Sequence, residues 1–132
     1  MFVNTQGPLP GMDMAPVDVF LLPTPVGPVP TPVPNVSMRA TEIPDNFTIL
    51  MSFMPSHDVM NQSAVSVGGP GPGVASGFVC GPSRNMSCSF KLLLKFMCAT
   101  RSLMDVTGQN GATPNSVGMT VCPNQIRVVN LM

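Results

Sequence analysis

The stretch SCSFKLLLKFMCAT, Ser87 to Thr100, decides the fold class. Cys88, Phe90, Leu92, Leu94, Phe96 and Cys98 share one parity, and Lys91 and Lys95 take the other. A strand points alternate side chains to opposite faces, so this spacing gathers the apolar groups on one face. At a helical period the same residues would circle the axis. The spacing predicts one continuous strand with Leu92 and Leu94 in the core.

The same period appears to either side. Between Pro44 and Pro55, residues Phe47, Ile49, Met51 and Phe53 alternate with Thr48 and Ser52, which predicts a half-buried strand. Near the end, Val129 and Leu131 alternate with Ile126 and Val128, which predicts a last strand buried on both faces. Between these, Asn110-Gly111 is a strong hairpin signal within Thr107–Gly111. With 16 Pro and 12 Gly in 132 residues, few windows could hold a long helix. Short strands separated by turn signals predict an all-β domain. No internal repeat is evident.

Two low-charge segments need their own reading. From Pro23 to Pro34 prolines alternate with Val and Thr, and no charge occurs from Pro23 to Met38. Fixed φ angles and missing donors predict an extended segment. Its apolar valines argue for an arm laid on the body of the domain and against a solvated linker. Gly68-Gly69-Pro70-Gly71-Pro72-Gly73 formally contains, with Gly77, the spacing G-x-G-x-x-x-G. A dinucleotide loop needs a helix after it, and these prolines and Gly77 forbid one. A tight turn where backbone approaches closely is expected instead. The chain divides into a lead (1–15), the extended arm (16–38) and a β body (39–132) of a single domain.

Composition narrows function. Hydrophobic residues are 44 %, charged residues only 9 %, and the formal net charge is zero. No basic patch is available for nucleic acid, and no apolar run approaches the ~20 residues of a membrane helix. So few charges on a soluble chain imply that much of its surface meets other protein. The start, Met1 to Gln6, has no positive region, and Pro8 and Pro10 interrupt any apolar core of a signal peptide, so classical secretion is not expected. Cys80, Cys88, Cys98 and Cys122 are therefore expected to be reduced and buried.

Catalysis finds no footing. His57 is the one histidine, and although Asp58 follows it, a triad is a spatial arrangement and no nucleophile elbow is present. The carboxylates Asp13, Asp18, Glu42, Asp45, Asp58 and Asp105 show no pairing pattern. The chain is not expected to be an enzyme. Candidate zinc ligands are His57, Cys80, Cys88 and Cys122, but their spacing matches no finger or ribbon. In one straight strand Cys88 and Cys98 would stand ~33 Å apart, so they could not share an ion.

Several stretches together resemble a known family. They are Pro28–Asn35, Ser66–Gly77, Gly81–Asn85, Ser89–Leu92, Cys98–Arg101, Asp105–Asn110 and Val121–Gln125. In order and spacing they are similar to the PAAR-like domain of bacterial toxin-delivery systems. The resemblance implies a compact β-rich cone that caps and sharpens the blunt end of a trimeric valine-glycine-repeat spike. Type VI secretion and related contractile injection systems use such spikes. One tip would sit on each trimer, with an effector toxin or an adaptor chaperone as further partner. It implies structural roles for Gly69, Gly71, Gly73, Gly77, Asp105, Gly108 and Asn110. It also implies residence in the bacterial cytoplasm until firing exports the tip. PAAR tips proper hold zinc near the apex with histidines and a cysteine. This chain has only His57, and Phe20 stands where a cysteine is common, so no cofactor is expected. A small adaptor module, or a cap on a phage-like baseplate, would share these features.

Overall fold

The computed structural model describes residues 1–131 and is all-β. The strands are β1 (Met12–Thr24), β2 (Gly27–Met38), β3 (Glu42–Ile43), β4 (Leu50–Met51), β5 (Met54–Pro55), β6 (Gln62–Ser63), β7 (Ser83–Asn85), β8 (Ser89–Leu94), β9 (Met97–Ala99), β10 (Val106–Gln109) and β11 (Ser116–Cys122). A seven-stranded sheet runs in the order β2-β1-β11-β10-β7-β6-β3. Two separate hairpins, β4-β5 and β8-β9, complete the strands.

The proline-rich segment is extended, as its fixed φ angles require, but it is not a lone arm laid on the body. It forms β2 and pairs with β1 along almost its whole length in one long hairpin. Val26 at its turn is 98 % exposed. The Leu21 N–H bonds the Pro72 carbonyl, so at the Leu21–Pro30 pair the backbone points away from the partner strand. By strand alternation, Pro28, Pro30, Pro32 and Pro34 turn their nitrogens to the free edge of β2. Val36, next in the same parity, exchanges both backbone bonds with Val67 across that edge.

Phe20 in β1 is buried, and the glycine-rich loop wraps it. A Cβ on Gly69 would come within 2.8 Å of the Phe20 ring, and one on Gly71 would overlap the Leu21 carbonyl. The expected close backbone approach is what this loop provides. The β10-β11 hairpin also matches expectation, its loop opening with Asn110 and Gly111 at φ 60° and 132°.

Two predicted strands are instead hairpins. Ser87–Thr100 folds back at Lys95 and Phe96, and Asp45–Met54 turns at Ser52 and Phe53. All four turn residues have positive φ, between 48° and 76°. That is the conformation of a two-residue type I′ turn, which Asn-Gly usually encodes. Ser-Phe and Lys-Phe give no such signal. The parity argument fails with the turn: Leu94 is buried, while Phe53 and Phe96 are 87 % and 96 % exposed. The fold-back also brings Cys88 and Cys98 to a Cα separation of 5.6 Å, and they form a disulfide. The expectation of four reduced thiols is thereby corrected, and Cys80 and Cys122 are free but exposed. The predicted closing strand is irregular too, with one bridge, Phe2 to Val129, and with Ile126 and Leu131 exposed.

A bulky side chain at positive φ stores strain. Replacing Lys95-Phe96 with Asn-Gly should therefore raise stability by about 1–2 kcal/mol. Urea denaturation of the double variant checks this, and a loss of stability would show that the turn is not of this type.

The interior inverts the usual rule. Fully buried side chains include Arg39, His57, Gln109, Gln125 and Asn4, whereas among the described residues the buried apolar cluster comprises Val3, Leu94 and Ala99 with partly buried neighbours, and Ala15, Phe20 and Cys98 are buried apart from it. Short strands leave much backbone without a ladder, and buried backbone must still be bonded. Side-chain amides supply those bonds. Asn124 Oδ1 accepts from Thr5 N–H, and Asn110 Oδ1 from Gly81 N–H. Gln125 bonds Val3 and Val128 carbonyls through Nε2 and accepts from Arg127 and Val128 N–H groups through Oε1.

Candidate functional site

Three backbone segments, residues 2–6, 55–59 and 98–102, close a ring. Asn4 N–H donates to Thr100 O (2.9 Å), Thr100 N–H to His57 O (3.3 Å), and His57 N–H to Asn4 O (2.9 Å). A second set closes in the opposite sense, from donors two residues further on to acceptors two residues back. Gln6 N–H donates to Pro55 O, Val59 N–H to Cys98 O, and Ser102 N–H to Phe2 O. The isolated bridges Val3–Arg101, Thr5–Ser56 and Asp58–Ala99 obey the same rule. Asn4, His57 and Thr100 are therefore equivalent positions around a pseudo-three-fold axis within one chain.

The equivalence extends into the hairpins that lead to the ring. Leu50 pairs with Pro55 and Met51 with Met54; Leu93 pairs with Cys98 and Leu94 with Met97. The third hairpin is assembled from both ends of the sequence. Phe2 bridges Val129, Met1 and Asn130 exchange two backbone bonds, and Val3 N–H donates to Val128 O as Ser56 N–H does to Ile49 O. The sequence carries the repeat as ILMSFMP (49–55) and LLLKFMC (92–98), with its third copy split between VVNL (128–131) and MF (1–2). The expectation of no internal repeat is corrected. Aligning the two -Phe-Met- runs would have found two copies; the split hid the third.

Side chains follow the symmetry. Ile49, Leu92 and Val128, with Met51, Leu94, Val3 and Ala99, pack together around the axis. Met54, Met97 and Met1 are 39 %, 40 % and 42 % exposed, and Leu50, Leu93 and Val129 are each about half exposed. One end of the molecule thus presents three similar apolar projections, two of them tipped by phenylalanine.

On the other side of the ring lies a buried ionic cluster. Arg39 Nε is 2.9 Å from Asp13 Oδ1, its Nη1 is 2.9 Å from Glu42 Oε1, and it also donates to Asn85 and Thr120. His57 Nδ1 lies 2.8 Å from Glu42 Oε2, and Asn4 Nδ2 reaches Thr120. Burial, reinforced by the Glu42 charge, holds the Asp13 carboxyl above its usual range despite Arg39. Burial pushes Glu42 the same way, but Arg39 and then His57 outweigh it and hold Glu42 below. Carboxylates that showed no pairing in sequence are paired in space. Asp105, likewise, grips Arg101 through the backbone N–H, Nε and Nη2.

The candidate metal ligands do not assemble. Cys88 has spent its sulfur on Cys98, and Cys80 and Cys122 are exposed. His57 is buried on Glu42 in the Arg39 cluster, a poor setting for a cation. Among the described residues no three His, Cys, Asp or Glu side chains are placed to hold one ion. These residues do not fit a zinc site.

The family-motif residues sit in the architecture around Phe20 and the β10 loop. Gly73 is crowded by Ser76, Asn115 and Asn110, and Gly77 has φ +70°. Gly108 lies in β10 against Pro114 and Met86. Asn110 ties Gly81 to the Phe78 carbonyl.

A family profile described as the toxin PAAR-like domain matches residues 11–116. No curated protein and no solved structure matches the chain. With most of its length covered by that profile, and an all-β fold to match, the chain belongs to the toxin PAAR-like domain family.

Proposed function

We propose that this chain is the tip of a trimeric valine-glycine-repeat spike in a type VI secretion or related contractile injection system. Family membership supports an association with spike tips and toxin delivery in general. The observation that carries the finer reading is the ring of Asn4, His57 and Thr100. A trimer offers three identical surfaces around its axis, and a single chain can satisfy them together only if it repeats itself three times. The role is structural, with no catalytic step and no bound metal. The tip waits in the bacterial cytoplasm, leaves on the spike, and carries an effector toxin directly or through an adaptor.

The test is to mix the chain with its cognate spike trimer and count copies by native mass spectrometry. One tip per three spike chains is expected. With so few charges in the chain, affinity should fall little between low and high salt, because screening acts on charge pairs and not on apolar burial. Three copies per trimer, or affinity that collapses in salt, would overturn the reading in favour of an adaptor module.

A further inference from the structure

We infer that the hairpin end of the molecule is the face that seats on the spike trimer, with Phe53 and Phe96 as its anchors. This assignment rests on the spike-tip reading and adds to it which of the two ends docks.

The pseudo-three-fold axis has two unlike ends. Beyond the ring on one side lie the buried Arg39 cluster and the seven-stranded sheet, whose long β1-β2 hairpin has no counterpart in the other two repeats. On the other side the three hairpins stand around the apolar cluster and share the same strand pairings. There equivalent side chains share both chemistry and exposure: Met54, Met97 and Met1, then Leu50, Leu93 and Val129. An occupant that touches all three projections alike must itself have a three-fold axis. A second copy of this chain has only an approximate one, and a single effector chain need have none.

Phe53 and Phe96 are the most exposed aromatic side chains of this end, and both are held on strained left-handed turns. Strain of that kind persists where the surrounding structure enforces it, and it aims both rings outward from equivalent corners. An apolar groove beside the first of them, lined by Pro8, Leu9, Phe53, Met54 and Ile126, gives a partner's apolar side chain a place to enter. Aromatic side chains, Phe among them, are enriched at the cores of protein interfaces, and a few well-packed central residues there carry most of the affinity.

Glycine suits the left-handed turns, so Phe53→Gly with Phe96→Gly removes both rings and leaves the hairpins folded. Affinity for the recombinant spike trimer is then measured by titration, with stoichiometry from native mass spectrometry. Val26→Ser, at the exposed tip of the β1-β2 hairpin, is the matched control on another element. The double variant should bind at least ~100-fold more weakly, the size of two central aromatic anchors, and the control within about two-fold. A double variant that binds like the parent as one copy per trimer would overturn the face assignment and leave the tip reading standing. Equal weakening by Val26→Ser would also overturn the assignment. Failure of the parent chain to form any one-to-three complex would remove the tip reading and this assignment with it. Self-association of the parent, abolished by the double variant, without trimer binding would do the same and make the face a contact between copies.

Discussion

Arg39→Ala should cost about 3–5 kcal/mol, enough to unfold a domain of ordinary stability, because it strands buried charge. Arg39 is fully buried and joins β1, β7 and β11 through Asp13, Asn85 and Thr120. Without it, Glu42 keeps only His57, and Asp13 keeps no cation. The two carboxylates should then respond unequally. Glu42 is held below its usual range, so its contribution is present above the unfolded-state value and is lost as pH falls through the lowered one. Asp13 is held above its usual range, so its ionised form opposes folding, and that cost appears as pH rises through the raised value. At neutral pH, Glu42→Gln should therefore destabilise clearly more than Asp13→Asn. Urea denaturation at pH 7 of the three variants is the measurement. A tolerated Arg39→Ala, or the reverse order for the carboxylates, would show that the cluster is not arranged this way.

Phe20→Ala is the second large loss, about 3–5 kcal/mol for an aromatic ring removed from a filled site. The ring is the surface on which Gly68 and Gly69 lie, and these glycines exist to let the backbone approach it. Gly69→Ala alone should cost about 1–3 kcal/mol, since its methyl would press on the ring. In the double variant that methyl enters space the ring has vacated. The combined loss should be smaller than the sum by about 1 kcal/mol or more. Strict additivity in the cycle would mean that the loop and the ring do not share a packing site.

How much of this could be read from the residues depended on how each turn is encoded. The β10-β11 connection has Asn110-Gly111, and the close approach around Phe20 has its run of glycines; both were legible. Ser52-Phe53 and Lys95-Phe96 turn the chain with residues that resist the conformation, and their flanks alternate like strands. One missed turn therefore moved Phe96 from the surface to the core and set Cys88 and Cys98 ~33 Å apart when they are bonded. The polar core was hidden for a different reason. Asp13, Arg39, Glu42 and His57 meet only because separate strands and the ring converge, and no local spacing records that. The three-fold repeat lay in plain view in two of its copies and was concealed in the third, whose halves are at opposite ends of the sequence.

The outer margin of β2 bears on whether such a chain can add to copies of itself. A strand at the border of a sheet is a template: its unpaired donors and acceptors invite another chain to add on, and repetition of that step builds fibres. Along Pro28, Pro30, Pro32 and Pro34 the template offers carbonyls and nothing to pair with an incoming carbonyl. An added strand would forfeit half its bonds there and set oxygen against oxygen. Further on, at Val36, the position is already filled by Val67. A protein with little charge and many exposed apolar side chains thus has the long border strand of its sheet made sterile to self-pairing by four prolines in alternate places.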